Sequence, residues 1–138
     1  MGKLSVHAVQ TRQERGFTIM EVMIAMVIVA ICTAVAVPSY QAYYTKSRRT
    51  SAQALLLEIA QRQQQYLLDA RAYAADLTTL GVATPTIVST YYTITMTVAS
   101  GPPATFTATA TPKTGTTQAS DSTLTLNNAG VKTPSDKW

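Results

Sequence analysis

Arg15-Gly16-Phe17-Thr18-Ile19-Met20-Glu21-Val22 joins a short basic leader to a long apolar run and sets one carboxylate inside that run. From Phe17 to Val37 there are 21 residues, of which only Thr18, Glu21 and Thr33 are polar. At the α-helical rise this stretch covers about 31 Å, close to the ~30 Å hydrocarbon core of a bilayer. A helix apolar on every side is a membrane span or the centre of a large core. Nothing after Val37 is greasy enough to wrap such a helix, so the sequence predicts a membrane helix over 17–37.

Glu21 is costly in that setting, since a charged side chain at mid-bilayer costs roughly 2.5–3.5 kcal/mol on insertion scales. The leader supplies a candidate partner. A standard secretory signal places its small-residue cleavage site after the apolar stretch, whereas Gly16 stands before it. A cut after Gly16 removes residues 1–16, keeps the span and frees an α-amine on Phe17, which is largely cationic at neutral pH. Glu21 then has three readings. It meets its own amine, about one turn away. It meets the amine of a neighbour when helices pack in parallel with an axial stagger, and the pair fixes the register. Or it snorkels at the membrane edge without a partner. Pro38 closes the span. It lacks an N–H and its ring crowds the Ala34 carbonyl, so a kink or loosened turn is expected there. No glycine lies between Phe17 and Val37, which confines any loosening to the turn before Pro38. Lys3, Arg12 and Arg15 precede the span and Lys46, Arg48 and Arg49 follow it. That balance leaves orientation open by charge.

Helical spacing continues over 38–68. Tyr40, Tyr44, Leu55, Ile59 and Tyr66 share a face, broadened by Leu56 and Leu67, and the tyrosines read as core packing. Glu58 and Arg62 form an i,i+4 pair in the favourable order. A helix from Phe17 to about Leu68 is roughly 78 Å long.

Over 69–138 a loop gives way to a period of two. Tyr92, Ile94, Met96 and Val98 alternate with threonines within 90–98. Phe106, Ala108 and Ala110 do so within 105–111, and Leu124 and Leu126 flank Thr125. Half-solvated antiparallel strands read this way, and threonine suits their outer face, which explains its abundance without O-glycosylation. Asn127-Asn128-Ala129-Gly130 reads as a turn into a last strand at 131–133. The expected fold class is α+β: a long N-terminal helix, its first half transmembrane and its second amphipathic, on a small sheet of three or four antiparallel strands.

Composition narrows the function. The chain has 138 residues and a net charge of +4 from eleven bases and seven acids. Leader removal takes Lys3, Arg12, Arg15 and Glu14, leaving eight bases and six acids and a charge of only +2. Nucleic-acid binding is therefore not demanded by charge. Lys113, Lys132 and Lys137 either gather on one face, with Trp138 available for base stacking, or form an ordinary solvated face. The single histidine, His7, lies in the leader, and the single cysteine, Cys32, lies in the span as a small apolar filler. Asp69, Asp76, Asp121 and Asp136 lack metal-ligand spacing. No catalysis, metal or cofactor is expected.

Gly16-Phe17-Thr18-Ile19-Met20-Glu21-Val22, with Arg15 ahead and Pro38 behind, resembles the class III signal of type IV pilins and their pseudopilin relatives. The loop from Tyr66 to Thr84, the run Leu124 to Thr133 and the closing Trp138 resemble the PilE-like branch, and a minor pilin within it. The resemblance implies cleavage after Gly16 by a prepilin peptidase, N-methylation of Phe17 and a docking role for Glu21. It implies a leader in the cytoplasm and a periplasmic C-terminal domain, with lipid around the span before assembly. It further implies other pilin subunits and an inner-membrane assembly platform as partners, and an extracellular pilus as destination. Twitching motility, adhesion or DNA uptake would follow downstream. A type II secretion pseudopilin is the alternative; its major form binds calcium through acidic C-terminal loops, and only Asp121 and Asp136 follow Asp76 here. Many pilins staple a C-terminal loop with a disulfide, which this chain cannot form, so its tail is expected to rest on hairpin pairing and Trp138 alone.

Overall fold

A computed structural model describes residues 16–138. Helix α1 runs Ile19–Ala70, and a short helix α2 occupies Thr86–Tyr91. Strands β1 (Tyr92–Ala99), β2 (Thr105–Pro112), β3 (Leu124–Asn127) and β4 (Lys132–Thr133) follow, and a 3-10 turn at Ser135–Lys137 ends the chain. The strands form one antiparallel sheet in the order β1-β2-β3-β4.

The chain divides into two units after Pro38. In the first unit the described residues are exposed throughout. Its helix is long and apolar enough to cross a membrane. The second unit, Ser39–Trp138, holds the core. Ala52, Leu55, Leu56 and Ile59 of α1 meet Phe106, Ala108, Ala110, Leu124 and Leu126 of the sheet. Alternation sorts the strands as read from sequence. On β2 the buried residues are Phe106, Ala108 and Ala110, and the threonines between them face outward. The register sets Thr95, Thr109, Thr125 and Thr133 in one row across all four strands. At the β3–β4 turn Gly130 has φ +75°, which glycine adopts without steric cost. The Asn127 Oδ1 there accepts from the Ala129 and Val131 N–H groups.

Three expectations need correction. Tyr40 and Tyr44 are 63% and 41% exposed, so the buried stripe begins only at Ala52. The buried sheet residues cluster with α1 only from Ala52 onward. Second, Thr90 and Tyr91 belong to α2 rather than to a strand. Pro85 starts that turn, its carbonyl accepting from the Val88 and Ser89 N–H groups. The Ser89 and Thr90 hydroxyls then bond back to the Thr86 carbonyl. Third, the tail has more than hairpin pairing and Trp138: Gln118 is fully buried, Asp121 binds Arg49, and the Gln53 Nε2 donates to the Lys137 carbonyl. Helix α1 ends two residues later than read, and it is continuous through Pro38 in the isolated subunit.

Candidate functional site

The processing and docking residues lie at the start of α1. Arg15 falls outside the described residues. Gly16 and Phe17 are exposed and precede the helix, Phe17 at 82%. Thr18 caps it. The Glu21 N–H donates to the Thr18 Oγ1 at 3.2 Å and to the Thr18 carbonyl at 3.1 Å, and the Val22 N–H donates to that carbonyl at 3.2 Å. Thr18-Ile19-Met20-Glu21 thus has the spacing of a capping box, with Glu21 at the third helical position. A carboxylate in the first turn also complements the positive end of the helix dipole. Phe17 and Glu21 line one open groove with Val22, Ala25, Met26 and Val29. Sequence reasoning treated Thr18 only as a polar interruption. The signal that would have found its role is the threonine three residues before a glutamate at the head of an apolar run.

The lysines proposed for nucleic acid do not form one patch. The Lys132 Nζ sits 5.0 Å from the centroid of the Trp138 ring, and the Trp138 Nε1 donates to the Thr133 carbonyl at 3.3 Å. Lys137 is close in sequence but ion-pairs with Asp136 at 3.0 Å. Lys113 stands elsewhere. Lys132 is level with Leu126 and Ala108, and Lys113 lies five positions beyond Ala108, roughly 17 Å along the strand direction. Its Nζ donates to the Ser89 carbonyl at 2.6 Å.

A polar cluster joins α1 to the loop after β2. The Arg49 Nε and Nη2 both donate to the Asp121 carboxylate, whose side chain is 1% exposed. The Tyr92 hydroxyl donates to the same carboxylate, and the Gln118 Nε2 donates to the Tyr92 hydroxyl, to Asp121 and to the Thr45 carbonyl. Burial pushes the Asp121 carboxyl up, but Arg49 and the Tyr92 hydroxyl outweigh it and hold the group below the usual carboxylate range. Burial first, and then Asp121, raise the Tyr92 hydroxyl, which stays a donor. Arg49 and Asp121 are 72 positions apart, and no local pattern announced their pairing. Among the described residues no three His, Cys, Asp or Glu side chains gather to hold a metal ion.

A bare, capped apolar helix with a carboxylate in its first turn, followed by a helix-backed four-stranded sheet, is the architecture of a filament-forming pilin subunit. The comparisons agree. A family model described as the type IV minor pilin ComP, DNA uptake sequence receptor, matches residues 38–126, and a prokaryotic N-terminal methylation motif matches residues 11–37. The chain belongs to the type IV pilin family, in its ComP minor-pilin branch. The fimbrial protein of Neisseria meningitidis serogroup A is 34% identical over 90 residues, covering 64% of this chain and 52% of that one. The type IV major pilin protein PilE of Neisseria gonorrhoeae is 36% identical over 81 residues, covering 57% and 47%. The chain thus spans about half the length of the curated relatives it matches. A solved type IV pilin from Shewanella oneidensis superposes with a TM-score of 0.51 at 26% identity, covering 66% of this chain and 92% of that one.

Proposed function

We propose that this chain is a non-enzymatic subunit of a type IV pilus, a minor pilin, cut after Gly16 by a prepilin peptidase and methylated on Phe17. Before assembly residues 17–37 lie in the inner membrane, with the C-terminal unit in the periplasm. At an assembly platform the subunit joins other pilin subunits by its first helix. The observation that carries this reading is the placement of Glu21 and Phe17 on one groove at the capped head of an exposed apolar helix. Glu21 of an incoming subunit meets the Phe17 amine of a neighbour. Loosening of α1 at Pro38 belongs to the assembled state. The mass of the mature N-terminal peptide tests processing: it should begin at Phe17 and carry one methyl group. Glu21→Val should leave the subunit in the membrane and strip it from sheared filaments. Normal incorporation of that variant, or filaments that retain Met1, would sink the reading.

The description of the matching family favours a second role, capture of DNA during uptake. The Lys132–Trp138 pair is its best candidate surface, with Lys137 beside it and Lys113 as a separate contact. Replacing Lys132 and Lys137 by alanine should remove salt-sensitive DNA retention by the full-length protein. Each DNA phosphate no longer neutralised by a lysine lowers the salt slope by about 0.9. Unchanged retention would leave the pilus role standing alone. Exoprotein release that fails on gene deletion, with twitching and DNA uptake intact, would instead assign the chain to a type II secretion pseudopilus.

A further inference from the structure

Three segments of the second unit meet in a surface made of phenols and cations. On α1, Tyr40 and Tyr43 are 63% and 71% exposed, and Tyr44 lies between them with ring centroids at 4.6 Å and 6.1 Å. The Arg48 guanidinium stands 3.8 Å from the Tyr91 ring centroid and 5.7 Å from that of Tyr44, and its Nη1 donates to the Thr117 Oγ1 at 2.7 Å. Lys113 joins at the end of β2, its N–H donating to the Tyr91 carbonyl at 2.8 Å. Lys46 is exposed on the neighbouring turn of α1. None of the ion pairs among the described residues includes Lys46, Arg48 or Lys113, and Asp121 of the adjoining loop is taken by Arg49. The surface is therefore aromatic and positively charged, and no acid among the described residues pairs with its cations.

Its place in the chain indicates the partner. Tyr40 is three residues beyond Val37, and three residues reach at most about 11 Å in any conformation. With residues 17–37 in hydrocarbon, Tyr40 cannot move far beyond the headgroup layer, which is roughly 5–8 Å thick on each side. Tyrosine, with an apolar ring and a polar tip, favours that layer. Lysine and arginine next to it are drawn to anionic headgroups within a Debye length.

We propose that the face carrying Tyr43, Tyr44, Tyr91, Lys46, Arg48 and Lys113 lays the Ser39–Trp138 unit on anionic phospholipid before polymerisation. The inference rests on the reading that residues 17–37 span a membrane. Tyr91 is its reporter: it belongs to α2 and joins this face through the Arg48 guanidinium rather than through the α1 backbone. Tyr73 is the internal reference: it packs on Phe106, which pairs with Val98, about 20 Å along β1 from Tyr92, the neighbour of Tyr91.

The test uses the full chain labelled with 3-fluorotyrosine, in nanodiscs that contain a headgroup-nitroxide lipid. With phosphatidylglycerol in the discs as the anionic lipid, the Tyr91 fluorine signal should broaden well beyond that of Tyr73. In phosphatidylcholine alone, or in high salt, the difference should vanish. Lys46→Gln with Lys113→Gln keeps the Arg48–Tyr91 stacking. That pair should lower the docked-to-free ratio about twenty-fivefold, about fivefold per cation. A Tyr91 signal as sharp as that of Tyr73 in anionic discs, with Tyr40 broadened, overturns the docking while the membrane span stands. A sharp Tyr40 removes the span and the docking together. Broadening of Tyr91 that ignores phosphatidylglycerol but is relieved by added DNA would also overturn the proposal.

Discussion

At the scale of single residues, Asp121 sets a charge inside the second unit. A carboxylate only 1% exposed requires compensation, and Arg49, Tyr92 and Gln118 supply it. Removing one partner of such a buried pair costs roughly 3–5 kcal/mol, because the other charge is left uncompensated. Arg49→Met should therefore lower the thermal midpoint far more than Arg62→Met, whose pairing with Glu58 at 3.9 Å is exposed. The pH dependence has a definite sign. The Asp121 carboxyl is held below its usual range in the fold. Its stabilisation is fully present above the unfolded value of about 3.9 and is lost as pH falls through the folded value. Denaturant midpoints measured downward from pH 5 should fall steeply below about pH 4 in the wild type. In Asp121→Asn that part of the fall should disappear, and an unchanged acid profile would refute the assignment.

At the scale of elements, α1 and the sheet were readable because each repeats its own period. Leu55, Leu56 and Ile59 recur at helical spacing, and Phe106, Ala108 and Ala110 alternate. The boundary errors came where that repetition is too short to decide, as at Thr90 and Tyr91. The tyrosines were misplaced for another reason: helical spacing tells which residues share a face but not how far the covering sheet extends along it. Contacts made by polar side chains over long sequence distances left no trace at all. Gln63 is an instance. It is fully buried on α1 and holds the loop after the helix by two bonds, its Nε2 donating to the Ala74 carbonyl at 2.8 Å and its Oε1 accepting from the Ala74 N–H at 2.9 Å. A glutamine among leucines looks like a solvated interruption in sequence. Gln63→Met keeps the volume but leaves both backbone groups of Ala74 unpaired, at a cost of roughly 1–3 kcal/mol each. Urea unfolding should show that loss, and hydrogen exchange at Ala74 should accelerate. Unaltered exchange at Ala74 would mean that the loop is held by other contacts.

At the scale of the whole molecule, the division after Pro38 separates two kinds of stability. Every buried hydrophobic residue among those described lies at Ala52 or beyond, so the second unit carries the core. The described residues of the first unit are exposed throughout and add nothing to that core, so its apolar surface is left for lipid or neighbouring subunits. A fragment of residues 39–138 should therefore be soluble and melt cooperatively, with near-UV signal from its core tyrosines. Aggregation or a non-cooperative melt would show that the first unit contributes to folding. The N-terminal methylation motif was legible because the order of its residues along the chain is the signal. The Arg49 anchor was not, because its two ends are 72 positions apart.

Fastening the last third of the chain by charge has a consequence for where the subunit can mature. With Cys32 as the sole thiol and Asp121 clasped by Arg49, the tail needs no oxidant and no disulfide isomerase to reach its final form. Thiol reductants that loosen a cystine-stapled protein should leave this one untouched, whereas a sour medium should release its tail. The fold of the tail is thus indifferent to thiol redox chemistry, with acidity as its vulnerability.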